Sequence, residues 1–350
     1  MRARLLALKS AVPPHVIAQS DAARYAGNLF AQVRDIARLM PVFENTGINR
    51  RYSCVPIEWY LGEHGWLDRT ELYVANAVTL LETVTRGLLE EAGLKPQDLD
   101  AIVTVSTTGI ATPSLDALLT ERMQLRRDIK RLPVFGLGCA GGVIGLSRAA
   151  DLARAMPGSK VLFLAVELCA LTFRKNDISK SNIVATALFG DGAAGAILST
   201  SGEGPQLGAA GEHTWPHSLD VMGWDMAEDG LKARFAKSIP DLVASDFRAL
   251  LTEFLATNGI AKPEVDAFAC HPGGAKVLDA LEDALDLPRG GLEDSRAILR
   301  DYGNMSAVTV LFVAERMDVM RKGQRTLLTA LGPGFSAAFL MLDGQGLGRA

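Results

Sequence analysis

The amino-acid sequence predicts a layered α/β protein made of two duplicated halves. Each half begins with an apolar run that has an Asp at its second position and reads as a buried strand. An apolar helical stretch follows in each half, and two more strand-like runs come after it. The matching runs are 99–105, 161–166 and 193–198 in the first half, and 265–270, 326–331 and 337–342 in the second. Strands that alternate with helices in this way predict stacked α and β layers.

Two polar residues occupy equivalent positions in the halves. Cys139 follows Asp100 by 39 positions, and Asn304 follows Asp266 by 38 positions, so each precedes the central helix of its half. Two helix N-termini would then face one shared site. Backbone N–H groups and the positive ends of helix dipoles would favour negative charge there.

A polar segment rich in Gly, Ser and Pro at 199–205 indicates the joint between the halves. We therefore predict an N-terminal half at 1–203, which carries the nucleophilic Cys. The C-terminal half at 204–350 carries the His and the Asn discussed below.

The composition is that of an ordinary globular protein, with 350 residues of which 48% are hydrophobic and 22% charged. The net charge is −4 with acids and bases interspersed, so we expect no nucleic-acid partner. No segment approaches 18 uncharged apolar residues, so we expect no membrane span. The four cysteines form no CxxC pair, which predicts a cytoplasmic protein without disulfides or a metal site.

Cys139, His271 and Asn304 have local sequences that suit acyl-transfer chemistry. Cys139 lies in the motif LGCAGG at 137–142, where a helix N-terminus and a nearby imidazole would lower the thiol pKa below about 8.5. His271 ends an apolar run before Pro-Gly-Gly, and Asn304 lies in YGNMS at 302–306. A thiol, an imidazole and an amide can load an acyl group and stabilise an enolate.

Each of these residues also has an ordinary structural explanation. Cys139 could be a small buried hydrophobe, His271 a satisfied core histidine, and Asn304 the cap of the helix that follows it. The GDG motif at 190–192 lacks the flanks of a phosphate loop, so it is interpreted as a tight turn. The segment 215–225 is interpreted as a hairpin or a covering loop, because it lacks metal-ligand spacing.

Several motifs resemble those of the type III polyketide synthases, the chalcone and stilbene synthase family, and the likeness extends from about residue 5 to 343. The matching motifs are GCAGG at 138–142, ALFGDGAA at 187–194, HPGG at 271–274 and YGNMS at 302–306. The segment ALGPG at 330–334 differs from the family's GFGPG, because Ala330 and Leu331 replace the first Gly and the Phe.

This resemblance implies a thiolase-like fold with αβαβα layers, a homodimer, and catalysis without a metal or an organic cofactor. Cys139 would attack an acyl-CoA starter and hold its acyl group. His271 and Asn304 would bind malonyl-CoA, favour loss of CO2 and stabilise the enolate. The enolate would then attack the acyl group on Cys139 in a decarboxylative Claisen condensation.

The resemblance also implies roles for other positions. Phe189 would gate the entry of the acyl chain, and Thr112 would reach into the partner's site. The other pocket residues that it implies are Cys169, Thr172, Ser306 and Gly334. Arg38, Arg50 and Arg51 would bind the CoA phosphates, although exposed surface charge explains each of them nearly as well.

The sequence favours a fatty acyl-CoA starter and an alkylpyrone or alkylresorcinol product. Its pocket residues are small, and its segment 220–225 looks like that of bacterial synthases with fatty starters.

One alternative is a synthase that uses malonyl-CoA alone and forms a small phenol. Another is a β-ketoacyl synthase III-like initiator, which would share the catalytic residues. A non-catalytic scaffold with a thiolase fold would be expected to have lost the nucleophile.

Overall fold

The computed structural model describes residues 1–31, 36–236, 238–321 and 323–345. The strands in these ranges are β1 (Arg4–Ala11), β2 (His15–Ala18), β3 (Arg50–Ser53), β4 (Ala101–Val105), β5 (Lys130–Val134), β6 (Val161–Leu168), β7 (Asp191–Ser199), β8 (Gln206–Thr214), β9 (Met222–Ala227), β10 (Gly230–Phe235), β11 (Ala267–Cys270), β12 (Arg325–Gly332) and β13 (Ser336–Asp343). The helices are α1 (Gln19–Leu29), α2 (Ile36–Leu39), α3 (Pro41–Asn45), α4 (Trp66–Ala92), α5 (Leu115–Arg122), α6 (Gly141–Ala155), α7 (Lys180–Leu188), α8 (Ile239–Leu242), α9 (Arg248–Thr257), α10 (Ala275–Leu285), α11 (Glu293–Tyr302) and α12 (Thr309–Arg316).

A large mixed sheet runs through the molecule in the order β11-β12-β13-β8-β1-β7-β6-β4-β5. β4 pairs in parallel with β5 and β6, and β11 pairs in parallel with β12, whereas the pairs nearer the centre are antiparallel. The two halves of the sheet meet at β1 and β8, where Arg4 lies opposite Gln206. Outward from this joint, β7, β6 and β4 match β13, β12 and β11, which confirms the predicted duplication.

Two central helices lie between the halves of the sheet. α6 packs against β4, β6 and β7 as well as against β12 and β13, and α12 packs against β1, β7, β11 and β12. On the outside, α4 covers β1, β6 and β7, while α9 and α10 share a core with β12 and β13. The result is the five-layer αβαβα arrangement expected from the sequence.

The sequence of each helix matches its place in these layers. α4 buries one stripe at helical spacing, which includes Tyr73, Ala77, Leu81, Val84 and Leu88, and leaves its other face to solvent. α6 is buried almost all around, and its Gly and Ala residues keep it thin enough to fit between the two half-sheets. A Cβ atom at Gly141, for example, would lie 2.7 Å from the side chain of Val105.

The interpretation of the GDG motif as a tight turn is wrong. Asp191 is the first residue of β7 and is fully buried. Its carboxylate accepts hydrogen bonds from the backbone N–H groups of Cys54 at 2.9 Å and Ala170 at 2.7 Å, so a charged residue can begin a buried strand here. The aromatic segment 215–225 ends in β9, which forms a hairpin with β10 beyond the segment.

Candidate active site

Cys139, His271 and Asn304 line one cavity, which we call the catalytic cavity and which contains about 1800 Å³ of empty space including its mouth. Cys139 lies in a 3-10 turn, Gly138–Ala140, directly before α6. His271 follows the end of β11, and Asn304 precedes the 3-10 turn Ser306–Val308 that leads into α12. The two pseudo-equivalent helix starts therefore meet at one site, as the sequence predicted.

The turn that carries Cys139 requires glycine because another loop packs closely against it. Gly138 has a φ of +48°, and a Cβ atom there would lie 2.5 Å from the ring of Pro333. The backbone N–H of Gly138 donates to Thr107 Oγ1 at 3.0 Å. These contacts hold Cys139, which is 6% exposed, at the end of the catalytic cavity.

His271 keeps both ring nitrogens free of hydrogen bonds within the described part of the chain. Its backbone N–H donates to the carbonyl of Thr329 at 2.8 Å, which fixes the residue beside the end of β12. Burial lowers the pKa of the imidazole to about 3, so the ring is neutral at physiological pH. A neutral imidazole that faces a cavity can donate one hydrogen bond and accept another from substrate.

Asn304 lines the catalytic cavity, and its side chain binds backbone groups on either side. Its Oδ1 accepts a hydrogen bond from the N–H of Ser306 at 2.8 Å, and its Nδ2 donates to the carbonyl of Gly273 at 3.3 Å. Gly303 permits this geometry with a φ of +73°, since a Cβ there would lie 2.8 Å from the carbonyl oxygen of Leu188. The explanation of Asn304 as a helix cap is wrong, because the 3-10 turn and α12 have Met305 and Val308 at their cap positions.

The expected lowering of the Cys139 pKa is not observed. Burial raises the pKa of the thiol to about 12, and the carboxyl group of Glu167 acts in the same direction, while a hydrogen bond with Ser306 opposes them. Since burial also lowers the pKa of His271, both shifts favour a neutral thiol and a neutral imidazole over an ion pair.

Glu167 is a buried group of the site that the sequence reasoning missed. Its Oε2 accepts hydrogen bonds from Thr107 N at 3.0 Å and Thr108 Oγ1 at 2.8 Å, while Oε1 has no partner in the described residues. Burial raises its pKa to about 7. The available signal was a single acidic residue inside the otherwise apolar strand 161–168.

A second, much smaller cavity, which we call the rear cavity, has a free volume of about 70 Å³. Its lining includes Ala22, Ala26, Leu29, Cys169, Thr172 and Phe189. Of the predicted pocket residues, Cys169, Thr172 and Phe189 are thus in this lining, and Ser306 is buried next to Cys139. Within the described residues, Thr112 and Gly334 line neither cavity, and Thr112 is exposed.

The three arginines predicted to bind CoA have different environments. Arg38 is exposed and lines the catalytic cavity, together with Lys180 and Lys276, which the sequence reasoning did not select. Arg50 is half-exposed and lies 3.8 Å from Asp301, outside the lining of that cavity.

The assignment of Arg51 to a CoA phosphate is wrong. Its side chain is buried, and Nη1 donates to the carbonyl of Phe189 at 3.2 Å and to that of Thr186. Nη2 donates to Gln19 Oε1. This guanidinium therefore binds protein acceptors inside the fold, where a phosphate outside cannot reach it.

No helix among the described residues is long and apolar enough to cross a membrane. Within the same residues, no group of three or more His, Cys, Asp or Glu side chains could hold a metal ion.

Comparison with known proteins identifies the family. The model of the N-terminal domain of chalcone and stilbene synthases matches residues 1–202, and the model of the C-terminal domain matches residues 206–347. A 1,3,6,8-tetrahydroxynaphthalene synthase of Streptomyces peucetius subsp. caesius is 39% identical over 96% of this chain and 92% of its own length. A putative chalcone synthase of Bacillus subtilis is 35% identical over 97% and 98%.

The solved structures agree with this identification. The crystal structure of the 1,3,6,8-tetrahydroxynaphthalene synthase of Streptomyces coelicolor, a bacterial type III polyketide synthase, superposes with a TM-score of 0.92 at 29% identity. The match covers 97% of this chain and 99% of that chain. The chain therefore belongs to the chalcone and stilbene synthase family and is a type III polyketide synthase, an acyl-transferring enzyme.

Proposed function

We propose that this enzyme extends a medium- or long-chain fatty acyl-CoA starter with malonyl-CoA and cyclises the product to an alkylpyrone or an alkylresorcinol. The observation that carries this proposal is the catalytic cavity, whose free volume is about 620 Å³ and whose lining around Cys139 is mostly apolar. Apolar clefts of this size accommodate small-molecule ligands. An acetyl or malonyl group alone would leave such a space unused.

The catalytic residues have distinct roles in this reaction. The Cys139 thiol loses its proton and attacks the starter thioester, which releases CoA as a thiol and leaves the acyl group on sulfur. Neutral His271 can relay that proton to the departing CoA sulfur and then donate a hydrogen bond to the thioester oxygen of malonyl-CoA, with Asn304 Nδ2 as the second donor. Loss of CO2 produces an enolate that these donors stabilise. The enolate attacks the acyl carbon, and the Cys139 thiolate leaves.

The cationic residues at the catalytic cavity support a CoA-binding role. Arg38, Lys180 and Lys276 are exposed and lie on three different elements, α2, α7 and α10. Side chains of this type bind phosphate groups at an entrance. We therefore assign the CoA phosphates to these three residues, with Arg50 a more distant candidate.

Steady-state rates with acetyl-, hexanoyl-, decanoyl- and palmitoyl-CoA, each with malonyl-CoA, test the starter. We expect kcat/KM to rise with chain length and then to fall once the cavity is filled, and mass spectrometry should show the starter in the product. A flat profile, or equal yield without added starter, would refute a fatty starter and leave the family assignment intact.

The second candidate is a synthase that uses malonyl-CoA alone and forms a small phenol. The relatives named 1,3,6,8-tetrahydroxynaphthalene synthase favour it, as does a phloroglucinol synthase of Pseudomonas fluorescens at 29% identity.

The family match favours a polyketide synthase over a β-ketoacyl synthase III-like initiator. The presence of all three catalytic side chains in one cavity argues against a non-catalytic scaffold.

We also propose a homodimer in which Thr112 approaches the partner's site. β5 is an edge strand, and the apolar side chains of Ile110, Leu132 and Phe135 near it are 47%, 41% and 52% exposed. Such an edge is usually covered. Sedimentation should show a dimer at micromolar concentration, and Leu132→Asp with Phe135→Asp should dissociate it. A stable wild-type monomer would refute the proposal.

Two further assignments remain proposals. The division between residues 203 and 204 is supported by the end of β7 at Ser199, the start of β8 at Gln206, and the limits of the two family models. A cytoplasmic location is supported by the four free thiols of Cys54, Cys139, Cys169 and Cys270, since a reducing compartment preserves them.

A further inference from the structure

The backbone of Asn304 is bonded to the segment at the end of helix α7. The N–H of Asn304 donates to the carbonyl of Leu188 at 2.8 Å, and the N–H of Gly190 donates to the carbonyl of Asn304 at 3.0 Å. These two bonds form an isolated parallel bridge between Phe189 and Asn304. The position of Asn304 in the catalytic cavity therefore depends on where residues 188–190 lie.

The buried side chain of Arg51 holds this segment from the other side. Its Nη1 donates to the carbonyl of Phe189 at 3.2 Å and to that of Thr186. A Cβ atom at Gly190 or at Gly303 would lie 3.3 Å or 3.5 Å from the Cβ of Arg51, so this side chain packs directly against the bridge. Burial lowers the pKa of Arg51 only to about 10, so the guanidinium is charged at neutral pH and its hydrogen bonds are charge-assisted.

Gln19 of helix α1 joins the same network. Its Oε1 accepts a hydrogen bond from Nη2 of Arg51. Its Nε2 lies 3.0 Å from the carbonyl oxygen of Ala187, 2.9 Å from that of Phe43 and 3.0 Å from Thr46 Oγ1. Arg51 and Gln19 together therefore bind the carbonyls of residues 186, 187 and 189.

A buried guanidinium is a costly way to stabilise a fold. Removing it from water carries a desolvation penalty that apolar packing at the same place would avoid. Its rigid fork of donors instead fixes the directions of several acceptors at once. At Arg51 the fixed acceptors belong to the segment that carries the backbone bridge to Asn304.

We propose that Arg51, supported by Gln19, is a positioning residue for Asn304: it holds residues 186–190 so that the Asn304 amide meets the thioester oxygen of malonyl-CoA. This inference rests on the role of Asn304 proposed above and is independent of the starter. A displacement of about 1 Å in a catalytic group can cost about 100-fold in rate. Loss of the Arg51 hydrogen bonds should therefore slow decarboxylation while malonyl-CoA still binds.

The test is Arg51→Lys, which keeps the charge. A single ammonium group cannot reach the Phe189 carbonyl and Gln19 in the way that the fork does. We expect kcat for CO2 release from labelled malonyl-CoA to fall by roughly tenfold or more, with KM changed by less than about twofold. If Arg51→Lys does not fold, as judged by its melting curve, Gln19→Met removes the second member of the network at similar volume and should have the same effect.

Arg154→Lys is the matched control. Nη2 of Arg154 also donates to two backbone carbonyls, those of Leu207 at 2.8 Å and Gly208 at 3.4 Å, but at the end of α6 remote from Cys139. This variant should release CO2 at the wild-type rate. Labelling of Cys139 by iodoacetamide should also be unchanged in Arg51→Lys. A changed labelling rate would reveal a general distortion of the site and refute a specific effect on Asn304.

A double-mutant cycle with Asn304→Ala separates positioning from general stabilisation. Arg51→Lys should have less than about a twofold effect in the Asn304→Ala background, because the amide that it positions is already absent. An equal loss in both backgrounds, or wild-type CO2 release by Arg51→Lys alone, would refute the positioning role and leave the role of Asn304 intact. Wild-type CO2 release by Asn304→Ala would instead refute the proposed role of Asn304, and this inference with it.

Discussion

Gly142 of helix α6 lies directly against the carbonyl group of Ala307, which precedes helix α12. A Cβ atom at position 142 would be only 2.1 Å from that carbonyl oxygen. At this contact α6 crosses the turn that leads into α12, three residues after Cys139 in one segment and three residues after Asn304 in the other. A methyl group at position 142 would push these two segments apart.

The substitution Gly142→Ala should destabilise the protein and reduce condensation together. The backbone of residue 307 must move to remove the clash, and overpacking of this kind costs about 1–3 kcal/mol. Urea unfolding gives the stability change, and product formation gives the activity. Gly87→Ala is the matched control. Gly87 lies within helix α4, and a Cβ atom there would make an ordinary contact at 3.5 Å with the side chain of Lys9. That change should stabilise the helix by about 1 kcal/mol. Equal stability of Gly142→Ala and wild type would show that the crossing is not tightly packed.

The substitution Cys139→Ala should abolish condensation and retain slow decarboxylation of malonyl-CoA. No acyl-enzyme can form without the thiol, whereas His271 and Asn304 still line the catalytic cavity. Release of CO2 from labelled malonyl-CoA and formation of product are measured separately. Cys54→Ala serves as the control, since Cys54 lies outside the catalytic cavity lining and its loss should leave condensation near the wild-type rate. Product formation by Cys139→Ala at the wild-type rate would exclude Cys139 as the nucleophile.

The sequence was sufficient to predict the layers and the meeting of Cys139, His271 and Asn304 at one cavity, because both depend on local patterns. Apolar runs specify buried strands such as β4 and β11, and glycine-rich turns mark where Cys139 and Asn304 precede their helices. Strand β5 shows the limit of this approach. Its sequence KRLPV is charged and contains proline, so it carries no strand pattern and becomes a strand only because β4 offers a parallel partner.

The environment of side chains could not be predicted in the same way. Arg51 turns inward because carbonyl oxygens from residues 186 and 189, far away in sequence, meet its guanidinium group. The pKa of Cys139 depends on how completely the surrounding loops exclude water, and a helix N-terminus alone does not determine that. Both features arise from packing between distant segments.

The reaction of Cys139 with iodoacetamide should become faster with rising pH, and its midpoint should lie above 8.5. Burial raises the thiol pKa, so the reactive thiolate fraction increases about tenfold per pH unit below the midpoint. Because His271 is neutral above about pH 4, His271→Ala should leave the midpoint unchanged. A midpoint below 8.5 that rises in His271→Ala would instead demonstrate a thiolate–imidazolium pair.

The substitution Glu167→Gln should change how stability depends on pH. The pKa of Glu167 is raised from 4.5 to about 7, so the wild-type fold retains a proton that the unfolded chain loses, and its stability falls as pH rises through this range. Glutamine resembles the protonated acid and does not titrate. The free energy of unfolding of the variant should therefore rise by up to about 3 kcal/mol relative to wild type between pH 4 and pH 8.

Urea unfolding across this range provides the measurement, with exposed Glu203→Gln as the control. A constant difference between Glu167→Gln and wild type would mean that Glu167 titrates normally.

The substitution Cys169→Phe should shift the starter optimum toward shorter acyl chains. Cys169 is 1% exposed, lines the rear cavity and is near enough to Cys139 for the two thiols to interact, so a phenyl ring there would take space from an acyl chain on Cys139. Hexanoyl-CoA should retain its rate, while kcat/KM for palmitoyl-CoA should fall at least tenfold. Cys169→Ser is the size-matched control and should keep the wild-type profile. Labelling of Cys139 by iodoacetamide at the wild-type rate shows that the catalytic cavity itself is intact. If Cys169→Phe still preferred palmitoyl-CoA, the alkyl tail would have to follow a route that does not pass Cys169.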